Sequence, residues 1–391
     1  MTLPPLNPVY AGLGTTIFTT MSALAMETGA INLGQGFPET DGFPEVREAA
    51  ARALMQASNQ YAPMKGQGAL LEAVADFYGR TQSLTLDPAK NVLITSGATE
   101  ALAAAVFSLI APGDEVIVFE PHYDAYAPLI ARAGGVVVRV RLNPPDWRFS
   151  EAQLAEAFSP RTRMVMVTTP NNPTTRLIPP EDWALLARFC VAHQACVVSD
   201  EVWEQVVFDG ARHHGVLNAP ELAELGVKIG SAGKLFALTG WKVGFVCASE
   251  RLVTQMAKAH QFLTFATPPM LQTAVAFGLR LPDSRFAEEA AALQRSRDLL
   301  RAGLETEGFQ TLPSEGTYFL NIDLPRSGIA LDGQSFALRA VQEAGVATIP
   351  LEAFCAPGGE PLPVIRLCFA KSDATLNRGI DRLRTARRLL T

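Results

Sequence analysis

A chain of 391 residues, 48% hydrophobic and 18% charged, holds enough apolar material for more than one ordinary domain. Its 39 acidic and 33 basic residues leave a net charge of −6 with no block of like charge, which argues against a nucleic-acid partner held by a basic patch. No apolar run is long enough to span a bilayer, the start lacks the pattern of a secretory signal, and five scattered cysteines without a CxxC pair read as reduced thiols, so a cytoplasmic protein is expected.

In chain order, residues 1–44 read as an irregular arm, rich in Pro and Gly, that packs on a smaller domain or on a second subunit. From 45 to 285, short apolar runs alternate with helix-period stretches. The runs are 91–95, 115–119, 136–140, 164–169, 195–200, 227–231 and 243–248, and the helical patterns include 100–110 and 180–193. Strands that are apolar throughout predict a mainly parallel sheet covered by helices on both faces, hence an α/β fold. Residues 286–391 change texture. A long polar-faced helix (285–307), strands near 318–322 and 364–369, and helices over 333–344 and 374–390 predict a smaller α+β domain.

Ligands of parallel α/β sheets bind beyond the carboxyl ends of the strands. Those ends carry Gly97-Ala98-Thr99 at a helix start, Tyr123, Asn172, Asp200, and Ser231 with Lys234. Taken singly each residue has an ordinary reading: a strand-end Asp is an N-cap, a loop Lys a solvated charge, NPT a turn. Together they meet the needs of pyridoxal 5′-phosphate. Its phosphate wants a helix N-terminus, hydroxyls and a cation, supplied by Gly97-Ala98-Thr99, Ser231 and Lys242. Its ring nitrogen wants an anion, Asp200; its ring oxygen a donor, Asn172; its face an aromatic plate, Tyr123; its aldehyde the Lys234 amine. The five histidines lack zinc-type spacing, and no metal site is expected.

The stretch SAGKLFALTGWKVGF (231–245) resembles the lysine segment of class I/II, fold type I aminotransferases. SDEVWE (199–204) and TPNNPTTRL (169–177) resemble the same family's aspartate and NPTG segments, the latter with Thr175 in place of Gly. The resemblance covers nearly the whole chain and implies further roles. Arg366 in VIRLCFA (364–370) would grip the substrate α-carboxylate with Asn172, and Gly36 in the N-terminal segment would touch it. Tyr61 would reach the phosphate in the neighbouring subunit of a homodimer with shared sites. One departure stands out: Trp203 occupies the place of the family's tyrosine that donates to the ring oxygen, and an indole cannot ionise as a phenol does.

Within the family the chain looks closest to the methionine, glutamine and kynurenine aminotransferases. The expected activity moves the α-amino group of such an amino acid to a 2-oxo acid in two half-reactions, with Lys234 as the base. Phe18, Phe265 and Phe354 are further candidates for the side-chain pocket, as is Tyr123. Competing readings are a β-lyase acting on sulfur conjugates, an aminotransferase for a succinylated diamino acid, and a non-catalytic pyridoxal-phosphate sensor. The last lacks a DNA-binding module in this sequence.

Overall fold

The computed structural model describes residues 6–391. Strand β1 (Ile31–Asn32) is followed by β2 (Val92–Thr95), β3 (Glu115–Glu120), β4 (Val136–Arg141), β5 (Thr162–Thr168), β6 (Cys196–Asp200), β7 (Gly226–Ser231) and β8 (Gly244–Ala248). Strands β2 to β8 form one sheet in the order β2-β8-β7-β6-β5-β3-β4. Neighbours among β3 to β7 pair in parallel. Successive residues face opposite layers. Ile117 and Phe119 pack with Leu154, Trp183 and Leu186 on one face. Val116 and Val118 pack with Leu102, Tyr126 and Met256 on the other. Helices on both faces are why these strands read as continuous apolar runs rather than as alternation.

Strand β8 departs from the parallel pattern. It runs antiparallel to both β2 and β7, with Gly244 opposite Thr95 and Ser231. The start of β8, not its end, therefore lies at the edge where its neighbours finish. That reversal brings Lys242, two residues before β8, to the same edge as Ser231 and Gly97.

The remaining strands are β9 (Gln310–Thr311), β10 (Phe319–Asp323), β11 (Val346–Ala347), β12 (Ile349–Pro350) and β13 (Val364–Cys368). Strands β12-β13-β10-β9 form a second, antiparallel sheet. Helices Asp283–Thr306 and Asp373–Leu390 cover it through Leu300, Leu304, Leu376 and Leu383, which share one core with Leu320, Ile322 and Leu367. β1 pairs in parallel with β11, which joins the N-terminal segment to this smaller unit.

The N-terminal segment is more regular than its composition suggests. Residues Ile17–Thr28 form a helix, opened by the Thr16 side chain accepting from Thr19 N and closed by Gly29 at φ +64°. Only Met21 and Ala25 of this helix are buried, against Ala337, Val341, Ile349 and Phe354. So narrow a buried face leaves little apolar periodicity to read. Among the described residues no helix is long and apolar enough to cross a membrane.

Candidate active site

The carboxyl edge of the large sheet meets β10 and β13 across a cavity of about 380 Å³. Its floor begins at the junction of β2 with the helix Gly97–Leu109. Gly97 has φ +79°, and a Cβ there would lie 3.1 Å from Lys242 Cε. A Cβ on Gly244 would approach the Gly97 carbonyl carbon to 2.6 Å. Two glycines thus let the helix N-terminus sit directly on the start of β8. Lys242 Nζ lies 3.5 Å from Thr99 Oγ1, and Ala98 and Ser231 line the same corner. Backbone N–H groups at the start of a thirteen-residue helix, two hydroxyls and an ammonium make this corner fit for a phosphate.

Asp200 ends β6 and is buried. The Tyr126 hydroxyl donates its single proton to Asp200 Oδ2 (3.0 Å), so Thr168 must be the donor in the 2.6 Å contact with Tyr126. Val202 N reaches Asp200 Oδ1 at 3.4 Å. Burial raises this carboxyl to about 6 against the pull of those two donors. A buried carboxylate so poorly compensated suits a cationic ring nitrogen.

Lys234 sits in the turn of helix Ala232–Leu235 that follows β7. Its Nζ lies 3.3 Å from the Tyr318 hydroxyl and 4.7 Å from the centre of the Trp203 ring. Burial brings the amine down to about 8; Asp200 opposes that shift, while Arg366 and Lys242 add to it. The Trp203 ring is buried and meets Tyr318 edge-on, with centroids 4.2 Å apart at 86°. Tyr123 lines the cavity from the segment after β3.

Arg366, on β13, closes the opposite side. Its Nη1 donates to Asn172 Oδ1 (2.6 Å) and its Nη2 to Gly34 O (3.4 Å), while Nε is buried without a partner. The guanidinium lies 3.9 Å from the Phe319 ring centre. Burial lowers it to about 10, and among the described residues no carboxylate forms an ion pair with it. Gly36 touches this corner, where a Cβ would lie 3.0 Å from Phe319 Cζ. A buried cation with an orphaned donor and an open cavity before it suits a carboxylate.

The residues picked out from the sequence therefore share one cavity, with two exceptions. Tyr61 is 88% exposed and packs edge-on against Phe265, 5.6 Å between centroids, away from the cavity. Phe265 goes with it, whereas Phe18 and Phe354 line the cavity as an edge-on pair 5.3 Å apart. The sequence reasoning missed Tyr126, Thr168, Asp124, Tyr318 and Phe319. Asp124 follows Tyr123 directly. Tyr318 and Phe319 fall in the strand expected near 318–322, which belongs to the smaller unit rather than to the large sheet. None of the five stands at a large-sheet strand end except Thr168.

Away from the cavity, Glu201, Glu204 and His213 bring their ligand atoms within 4.8 Å of one another. The Lys228 ammonium bonds both carboxylates there, and His213 Nε2 lies 2.8 Å from Glu201 Oε2. The cluster is an ion-pair network closed by its own lysine.

The aminotransferase class I and II family model matches residues 28–383. Methionine aminotransferase of Escherichia coli (strain K12) is 43% identical over 388 residues, covering 98% of this chain and 100% of that protein. A probable N-succinyldiaminopimelate aminotransferase of Mycobacterium tuberculosis (strain ATCC 25618 / H37Rv) is 40% identical over 393 residues, covering 98% of each. A crystal structure from Escherichia coli, described as having a methionine aminotransferase function, superposes with a TM-score of 0.95 at 42% identity, over 98% of this chain and 100% of that one.

Proposed function

The chain belongs to the aminotransferase class I and II family and is an amino acid aminotransferase, and from that premise we propose a substrate class, a cofactor and a role for each residue of the cavity. The amino donors are amino acids with neutral side chains, of the methionine, glutamine or aromatic type, and the acceptors are 2-oxo acids. The reading rests above all on the buried Arg366 guanidinium, unpaired by any carboxylate among the described residues and facing the same cavity as the Lys234 amine. An α-carboxylate would take two of its three remaining N–H donors and fix the substrate.

The family implies pyridoxal 5′-phosphate, and the donor set fits it. Gly97, Ala98, Thr99, Ser231 and Lys242 would hold its phosphate, Asp200 its ring nitrogen, Tyr123 its face, and Asn172 with Trp203 the region of its ring oxygen. When bound, the cofactor is an electron sink that makes the substrate Cα–H acidic. Lys234 Nζ, brought down by burial to about 8, is basic enough to take a proton from Cα and neutral often enough near pH 8 to do so. Arg366, Asn172 and Gly36 orient the carboxylate so that the Cα–H faces that amine. Asp200, held by Tyr126, supplies the negative charge that keeps the ring nitrogen protonated.

Further features belong to the same reading. Residues 1–44 form an N-terminal arm, 45–285 the large cofactor-binding domain and 286–391 the small domain. The exposed Tyr61–Phe265 pair contributes to a homodimer in which Tyr61 serves the partner's phosphate corner. The enzyme works in the cytoplasm.

A succinylated diamino acid is the second reading, favoured by the 40% identical mycobacterial relative. It would place another carboxylate in the cavity. The lysines and arginine lining that cavity, Lys234, Lys242 and Arg366, are already committed, and Asp124 adds a negative charge. The neutral donors are therefore preferred.

The test is spectroscopic. Protein purified with the cofactor should show a visible absorbance band that moves to the near ultraviolet when methionine, glutamine or an aromatic amino acid is added without any keto acid. A band that answers only to a succinylated diamino acid would shift the substrate assignment. Pyruvate and ammonia released from a sulfur conjugate would make the protein a lyase. Turnover retained by Lys234→Ala would remove the base.

A further inference from the structure

We propose that Tyr318 is a positioning residue for Lys234, its hydroxyl fixed by the Gly36 carbonyl so that it holds the lysine amine against the face of Trp203. The proposal rests on reading Lys234 as the base of the site. The Tyr318 hydroxyl lies 2.5 Å from Gly36 O and 3.3 Å from Lys234 Nζ. A phenol has one proton to give, and the shorter contact to a carbonyl takes it. Toward Lys234 the oxygen can then only accept. The amine donates an N–H to it and keeps its lone pair for another direction, which is the state a proton-taking amine needs.

Trp203 completes the arrangement. The indole presents its face, not a lone pair, to Nζ at 4.7 Å, and its contact with Tyr318 at 4.2 Å locks the two rings at a right angle. An accepting oxygen and an aromatic face both favour an ammonium over an amine. They act against desolvation, so the pair sets how far burial can lower the lysine. The other charged or titratable groups facing Lys234 are Asp200 at the end of β6, Arg366 and Cys368 on β13, and Lys242 before β8. None of them offers Nζ a hydrogen bond in this structure. Gly36 lies two residues beyond Gly34, whose carbonyl contacts Arg366, so the same N-terminal segment holds both Tyr318 and Arg366.

The experiment uses the cofactor-free protein and acetic anhydride as probe, with the acetylation rate of Lys234 followed by peptide mass spectrometry across pH. Tyr318→Phe keeps the ring and its contact with Trp203 but removes the acceptor. The midpoint of the Lys234 rate profile should fall by roughly one pH unit. Trp203→Phe, which weakens the aromatic face, should move the midpoint the same way by less. In the cofactor-loaded enzyme, Tyr318→Phe should lower kcat while KM for the amino donor stays within about twofold, because Arg366 is untouched. A midpoint in folded Tyr318→Phe equal to or above that of the wild type overturns the proposal. Should Tyr318→Phe fail to fold, an unchanged midpoint in Trp203→Phe does so instead. Loss of turnover in Lys234→Ala together with a wild-type profile in Tyr318→Phe would leave the base in place and remove only the positioning role.

Discussion

Arg366 and Asn172 meet through a 2.6 Å hydrogen bond, from Nη1 to Oδ1, that ties a strand of the small antiparallel sheet to the loop after β5 of the large one. The contact fixes one edge of the guanidinium and leaves the buried Nε without a protein partner. Substrate carboxylate would complete the set. Replacing Arg366 by Lys keeps the charge but loses the planar fork and the Asn172 contact together. The expected cost is about 2–4 kcal/mol in kcat/KM for the amino donor, some 30- to 1,000-fold. Steady-state kinetics would measure it, and a loss of less than threefold would mean that the carboxylate binds elsewhere.

Asp200 carries the opposite liability. Burial raises its carboxyl from the ordinary 3.8 to about 6 in the cofactor-free fold. Between those values the native protein holds a proton that the unfolded chain has lost. The wild type therefore loses stability as pH rises from about 4 to about 6, and the loss is complete above that. Asp200→Asn does not titrate, and its amide oxygen can still accept from Tyr126. The cofactor-free variant should match or trail the wild type near pH 4 and gain on it by up to roughly 3 kcal/mol by pH 8. Denaturant midpoints at the two pH values would show this. The same variant should bind pyridoxal 5′-phosphate more weakly, since the ring nitrogen would lose the anion proposed for it.

Much of this site could be read in the sequence because a parallel sheet sends its ligand groups to one edge, and strand ends are easy to locate when the strands are apolar throughout. Gly97, Asn172, Asp200 and Lys234 all follow such runs. The direction of β8 could not be read: an antiparallel member buried between β2 and β7 is as apolar as its parallel neighbours. Lys242 reaches the edge for a reason its position alone does not give. Tyr318 and Phe319 were hidden differently. They come from the other sheet, and only the packing of β10 against the carboxyl edge makes them neighbours of Lys234. The helix Ile17–Thr28 was missed because it buries two residues, too few to make a stripe.

Thr175 stands where the family pattern has glycine, and it keeps the glycine conformation at φ +68°. Left-handed backbone costs a β-branched residue on the order of 1–2 kcal/mol. The buried hydroxyl offsets part of this by donating to Pro313 O at 3.0 Å, a bond of about 1 kcal/mol. Thr175→Gly removes strain and bond together and should change stability by less than about 1 kcal/mol. Thr175→Ala removes the bond but keeps a Cβ at positive φ. It should therefore be less stable than Thr175→Gly, a ranking that thermal unfolding of the two variants would check; the reverse order would mean that the backbone here is not strained.

Asp124 gives the proposed substrate pocket a sign. Its carboxyl lines the cavity beside Tyr123, within electrostatic reach of Arg366, and burial raises it above the ordinary carboxylate range. Ionised, it repels a second carboxylate on a bound amino acid; a neutral methionine or glutamine side chain meets no such penalty. At a separation of several ångströms and an intermediate dielectric the repulsion is worth about 1–2 kcal/mol. Asp124→Asn should therefore raise kcat/KM for glutamate or a succinylated diamino acid, relative to methionine, by roughly tenfold. In the wild type the same discrimination should weaken as pH falls, since Asp124 takes up its proton at a higher pH than a solvated aspartate does. Competition assays between glutamate and methionine at two pH values, with and without the substitution, test both statements. A ratio that follows pH equally in wild type and Asp124→Asn would assign the effect to another group.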